Sequence, residues 1–171
     1  EMRTYDLDFI QVKVCVRGFP LTPKAKTTKG NCMAIYHCST KTVNRSSGRT
    51  AVASMAYRAG EKLEDERTGL THDFTKKDGV VHTEILSNLD IQIDRGELWN
   101  LAEKSENRKD ARTAREWVIA LPDELTADQR KDVAKNFAQS IVDRYGVIAD
   151  LAIHEPSKGG NDKNHHAHIM L

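Results

Sequence analysis

Cysteine is scarce in this chain. Three residues, at positions 15, 32 and 38 of 171, are too few and too irregularly spaced for a disulfide framework, and no two form a Cys-x-x-Cys pair. Long apolar runs are missing too: the longest, Trp117 to Leu121, is far short of the roughly 20 residues a membrane-crossing helix requires. No apolar segment of signal-peptide type opens the chain, and there is no internal repeat or low-complexity tract. These absences exclude a disulfide-stapled scaffold and membrane insertion, and they fit a reducing, cytoplasmic setting. What remains is 39% hydrophobic and 30% charged, the balance of one ordinary domain with its own core rather than a disordered or fibrous chain. The chain begins at Glu1 and stops at Leu171 within an apolar alternation, so a fragment of a longer protein is expected.

The net charge of +1 conceals an uneven distribution. Met33 to Gly60 carries Lys41, Arg45, Arg49 and Arg58 with no acidic residue, whereas Glu61 to Arg67 holds four acidic residues against two basic ones. A basic block of this kind is ordinarily a solvated face; it is also what a phosphate-binding surface requires.

Phe9 to Val16 reads as a short strand, and the Pro-, Lys- and Thr-bearing stretch after it as a linker, with a boundary near Cys32. Ala34 to Val43 alternates and is rich in Ile, Tyr, Thr and Val, which predicts a strand. A turn through Asn44, Ser46, Ser47 and Gly48 then leads into a helix over Arg49–Ala59. Glu61–Gly79 reads as loop or frayed helix, Val80–Leu86 as a strand, Arg95–Ser105 as a helix and Arg112–Leu121 as a buried strand ended by Pro122. Capping chemistry at Thr126 opens an amphipathic helix to Tyr145, with Val133, Phe137, Ile141 and Val142 on one stripe and Gly146 at its end. Val147–His154 and His165–Leu171 read as strands joined by a loop, hence antiparallel neighbours. The expected class is α+β, an antiparallel sheet with helices laid against it.

Four of seven histidines fall within the last eighteen residues. On a strand, His166 and His168 project to one face while His165 and Ala167 take the other. If the loop folds the preceding strand back, His154 becomes a cross-strand neighbour of His166. Three neutral imidazoles can then share one divalent ion, with positions left open for substrate or water. A polar strand end, or metal affinity without function, accounts for the same residues less completely. On the helix over Arg49–Ala59, Val52, Met55 and Ala59 make an apolar stripe, and Tyr57 lies about 160° from Met55. It points away from the stripe, toward the small residues Thr50, Ala53 and Ser54.

Met33-Ala-Ile-Tyr-His37, the Ser47-Gly48 turn and Ala56-Tyr57 resemble the opening of MobA/MobL-type plasmid mobilisation relaxases, members of the HUH endonuclease superfamily. Glu116-Trp-Val-Ile-Ala-Leu-Pro122, Phe137-Ala138, Ala152-Ile-His154 and Asn164-His-His166-Ala-His168-Ile-Met170 are similar to that family's later motifs, so the likeness runs from Met33 to Leu171. His165 stands where the family usually has proline. The resemblance implies residues 33–171 as a relaxase nuclease domain incomplete at its C-terminal end, with residues 1–32 an extension or upstream translation. It also implies a single-domain fold of the kind shared with replication initiators.

The implied activity is nicking and rejoining of single-stranded DNA at an origin of transfer, through a 5′-phosphotyrosyl link to Tyr57. A divalent ion, magnesium or manganese, held by His154, His166 and His168 would polarise the phosphate. Glu116 would orient a ligand imidazole or receive the tyrosine proton. Lys41, Arg45, Arg49 and Arg58 would contact phosphates. Implied partners are the origin strand, accessory relaxosome proteins and a type IV secretion coupling protein, with translocation alongside the transferred DNA. Two other readings compete: a rolling-circle replication initiator, in most of which the tyrosine follows the histidines rather than preceding them, and a zinc-dependent hydrolase or metal-stapled binding module in which Tyr57 is structural.

Overall fold

A computed structural model describes residues 37–90, 92–157, 159 and 162–171. The strand expected over Phe9–Val16, the boundary near Cys32, the extension reading of residues 1–32 and the first residues of the Ala34–Val43 strand lie outside the described residues. The elements run β1 (Cys38–Asn44), α1 (Ala51–Ala59), β2 (Lys62–Asp65), β3 (Leu70–Asp73), β4 (Val80–Leu86), α2 (Arg95–Lys104), β5 (Arg112–Ala120), α3 (Ala127–Tyr145), β6 (Ala149–His154) and β7 (His166–Met170). Five strands form one sheet in the order β1-β5-β7-β6-β4, every pair antiparallel, and β2 and β3 form a separate hairpin.

Strand alternation divides the sheet into two chemically different faces. Ala167 and Ile169 of β7, Leu151 and Ile153 of β6, and Ile119 of β5 turn to one side and pack with Ala134, Ala138 and Val142 of α3. The stripe on α3 is therefore rotated from the one expected: its alanines are fully buried, while Val133 and Phe137 are only partly covered. Small side chains let the helix approach the sheet closely, and Phe137 reaches sideways to meet the Trp117 ring edge-on at 5.8 Å. The other face carries Ala114, Ala152 and Met170 against Val52, Met55 and Ala56 of α1 and Trp99 of α2. His154, His166, His168 and Glu116 belong to this second face.

The helices begin at side-chain caps. Thr50 accepts from the Ala53 amide, Asp94 from the Gly96 and Glu97 amides, and Thr126 forms a reciprocal capping box with Gln129. α1 ends at Gly60, where φ is +66° and a Cβ would stand 3.2 Å from a Val80 methyl, so both backbone and space favour glycine.

The hairpin is the main departure from the sequence pattern, which predicts loop or frayed helix over Glu61–Gly79. Its inward residues are Leu63 and Asp65, so a buried carboxylate interrupts the apolar alternation that marks a strand. Asp65 instead accepts from the Arg67 and Thr68 amides and shapes the turn.

Asp150 shares the face of His154, as alternation requires, but its carboxylate does not turn to the histidines. It takes the Arg95 guanidinium in a two-pronged contact at 2.9 and 3.0 Å and the Trp99 indole N–H at 2.9 Å, all buried. Arg95 also meets Glu61. Asp150→Ala should leave this guanidinium short of its main counter-charge inside the protein and cost about 3–5 kcal/mol, read as a lower urea midpoint with an unchanged slope.

Candidate metal centre and nucleophile

β6 and β7 pair so that His154 faces His166 and Ala152 faces His168. The alanine leaves room for the three rings to gather, with centroids 5.2 Å apart for His154 and His166, 4.8 Å for His154 and His168, and 5.1 Å for His166 and His168. One nitrogen from each lies within 4.8 Å of the others.

Each ring is held from behind. His168 Nδ1 lies 2.6 Å from a Glu116 carboxylate oxygen, His166 Nδ1 2.9 Å from the Asn164 carbonyl, and His154 Nε2 2.7 Å from the Arg58 carbonyl. Each of these nitrogens faces an acceptor, so it carries the proton in a neutral ring, and the remaining nitrogen of each ring keeps its lone pair. Burial reinforces neutrality. It brings His154 down to about 4 and depresses His166 as well, in both cases overcoming the hydrogen bond to a backbone carbonyl. Three imidazoles oriented by outer acceptors are the donor set that fits a divalent ion with open positions.

Glu116 sits on β5, buried, between two cations or potential cations. Arg58 grips its carboxylate with Nε and Nη2 while His168 takes the same carboxylate from the other side. Burial alone would raise the carboxyl, but these hydrogen bonds and the Arg58 charge overcome it and hold it down at about 2. Glu116 is therefore ionised at neutral pH and a weak proton acceptor.

Tyr57 is half-exposed on α1, one residue before Arg58, whose carbonyl meets His154. The helix that bears the tyrosine thus touches the imidazole group through its backbone. Its ring stands edge-on to Phe74 at 5.2 Å, and Lys77 Nζ lies 3.8 Å from the ring centroid while donating to the Tyr57 carbonyl at 2.7 Å. Burial and the nearby Arg58 charge lower Lys77 to about 8. Sequence reading missed Lys77, because it lies in the stretch taken as loop and a lysine pair there carries no positional signal.

The basic block divides. Lys41 is exposed on the edge strand β1, directly opposite Glu116, and Arg49 is exposed just before the cap of α1. Arg58 is engaged with Glu116. Arg45 is turned inward: it binds Glu103 at 2.9 Å and the carbonyls of Glu103, Glu106 and Arg108, so its charge serves to close the fold rather than to face solvent. His165 turns away from the three imidazoles to Asp123, with Nε2 3.3 Å from Oδ1.

Among the described residues, then, an antiparallel sheet carries a three-histidine centre, the helix that bears the exposed Tyr57 meets it through the Arg58 carbonyl, and no helix is long and apolar enough to cross a membrane. Residues 49–171 match the MobA/MobL family, and the chain belongs to it. It is 52% identical over 124 residues to the mobilization protein MobL of Acidithiobacillus ferridurans, covering 72% of this chain and 33% of that protein. It is 38% identical over 151 residues to the conjugal transfer protein TraA of Rhizobium radiobacter, covering 81% of this chain and 13% of that protein. The chain thus spans a third or less of these relatives. A solved structure from work on the molecular basis of vancomycin resistance transfer in Staphylococcus aureus superposes with a TM-score of 0.72 at 34% identity, covering 80% of this chain and 69% of the other. The fold is the α+β arrangement expected, an antiparallel sheet flanked by helices.

Proposed function

We propose that this chain is the strand-cutting domain of a plasmid relaxase, which nicks and rejoins single-stranded DNA at an origin of transfer and so begins mobilisation. The observation that carries the reading is the convergence of three imidazoles, each braced by an outer acceptor, beside the helix that presents Tyr57. The Tyr57 hydroxyl attacks the scissile phosphorus; a new O–P bond forms, the bond to the 3′ oxygen breaks, and that oxygen leaves as a 3′-hydroxyl. One phosphodiester replaces another, so the reverse attack rejoins the strand without ATP. His154, His166 and His168 would hold a magnesium or manganese ion, which would supply Lewis acidity toward the phosphate.

The chain's own groups prepare the step. Glu116 orients His168 and holds Arg58 beside the imidazoles, and its low proton affinity favours this role over that of base. The Lys77 ammonium lies over the Tyr57 ring and holds its orientation. Lys41 and Arg49 contact phosphates from the exposed edge, Arg58 adds positive charge where the scissile group lies, and Arg45 supports the loop beneath them. The partners are the origin strand, relaxosome proteins and the coupling protein of a secretion system, in the cytoplasm, with passage alongside the DNA. Residues 33–171 are the nuclease domain and residues 1–32 an extension.

Incubation of the protein with an origin-type single strand and manganese tests this reading. A relaxase leaves protein attached to the 5′ end through denaturing electrophoresis; a metal-dependent hydrolase releases two free fragments. Arg49→Glu should reduce the slope of log affinity against log salt by about 0.7 or slightly more on matched and scrambled strands alike, because it removes one phosphate contact and reads no base. A salt titration by fluorescence anisotropy measures it.

A further inference from the structure

Two open pockets of similar size lie on the helix-bearing side of the hairpin, and their charges are opposite. One, about 550 Å³, is bounded by the start of α1, the turn and second strand of the hairpin, and the loop before β5. Its lining includes Arg45, Arg67, Arg108 and Lys109 and no carboxylate. The other, about 530 Å³, is lined by five carboxylates against two lysines. A polyanion can enter only the first without repulsion.

The basic pocket is arranged for a chain of phosphates rather than for a single ion. Glu103, buried, takes Arg45 and Arg67 together and also accepts from the Ala51 amide, so two guanidiniums share one carboxylate and a positive excess remains. Arg67 uses its Nε for that contact at 3.2 Å and stays more than a third exposed, which leaves the other end of its planar fork for a ligand. Arg108 and Lys109 stand exposed at the rim. Leu70, 58% exposed, supplies an apolar wall, and His72 lines the pocket with its Nε2 turned to the buried Asp65 carboxylate, 3.9 Å from Oδ2. A cationic rim with an apolar wall is chemistry that suits a nucleotide within a strand.

Position ties this pocket to the nucleophile. Thr50 and Ala53 line it and lie seven and four residues before Tyr57, on the same side of α1, about 6 to 10 Å along the helix axis. We propose that this pocket is a backbone subsite for the same single strand, gripping the phosphodiester a short way from the link at Tyr57 through Arg67, Arg108 and Lys109. The inference rests on the strand-cutting reading and extends it by assigning where the uncut part of the strand lies.

Oligothymidylates of graded length, titrated by fluorescence anisotropy over a salt series, test the subsite without knowledge of the nick sequence. The double variant Arg108→Glu/Lys109→Glu should bind about 25-fold more weakly at 0.1 M salt, with a slope about 1.4 units shallower and a shorter minimum length for full affinity. Arg108→Lys/Lys109→Arg should restore the slope. Lys62→Glu/Lys104→Glu, in the acidic pocket, should change neither quantity. Both rim side chains are exposed, and thermal melts check that each variant is folded. An unchanged slope and length dependence in the first variant, or an equal loss in the acidic-pocket variant, overturns the subsite. Adduct formation by the unaltered protein on origin DNA is scored separately, so a failed subsite with a normal adduct leaves the strand-cutting reading standing, and failure of the adduct removes that reading itself.

Discussion

Tyr57→Phe is expected to bind origin DNA with unaltered affinity and to form no covalent adduct. The substitution removes one oxygen from a half-exposed side chain and leaves the ring, so the edge contact with Phe74 and the Lys77 ammonium over the ring both persist. Surface changes of this kind alter stability by about 0.5 kcal/mol or less. Loss of a nucleophile, by contrast, removes a bond-forming atom, and the rate should fall by a factor on the order of 10⁴ or more. The measurement is the fraction of labelled strand that migrates with protein after denaturation, paired with anisotropy for binding. Undiminished adduct in the variant would transfer the attacking oxygen to another residue.

His166→Ala and His168→Ala should each lower manganese affinity by more than the 10–100-fold that loss of an outer partner costs, and should suppress adduct formation in proportion. Neither ring is fully buried, so the fold should tolerate their removal. His154→Ala is a less clean test, because it also strips a partner from the Arg58 carbonyl. Glu116→Gln should fall within the 10–100-fold range, since it retains the shape of the carboxylate but weakens its hold on His168 and Arg58. His165→Ala is the control, its ring turned to Asp123, and should leave metal affinity unchanged. Calorimetric titration gives each value; the largest loss at His165 would mean that the other face of β7 carries the site.

The histidine geometry was legible because it depends on a period of two. Once His165–Leu171 is a strand paired to Val147–His154, the faces of His165, His166 and His168 follow, and the capping residues of α3 fix its limits. The hairpin over residues 62–73 was not legible, because an inward Asp65 reads as a solvent residue until the turn amides that satisfy it are known. The partners of Arg45 and Asp150 were hidden for a different reason. Glu103 is 58 residues from Arg45, and Arg95 is 55 from Asp150, distances at which a sequence carries no pairing signal without the fold. Arg45 accordingly read as a phosphate contact from its neighbourhood in the chain, although its side chain closes a turn.

The sheet order places β7 between β5 and β6, and β6 between β7 and β4, so the strands that bear the imidazoles have neighbours on both sides. Their amides can exchange with deuterium only when the sheet itself opens, which makes them among the slowest in the protein, whereas the two-stranded hairpin beside them opens on its own and exchanges early. An ion arriving at such a site meets donors already in place and needs little rearrangement of the backbone. Adding manganese should therefore leave the exchange pattern of β6 and β7 almost unaltered, and a strand of DNA should slow exchange mainly in the hairpin and at the start of α1.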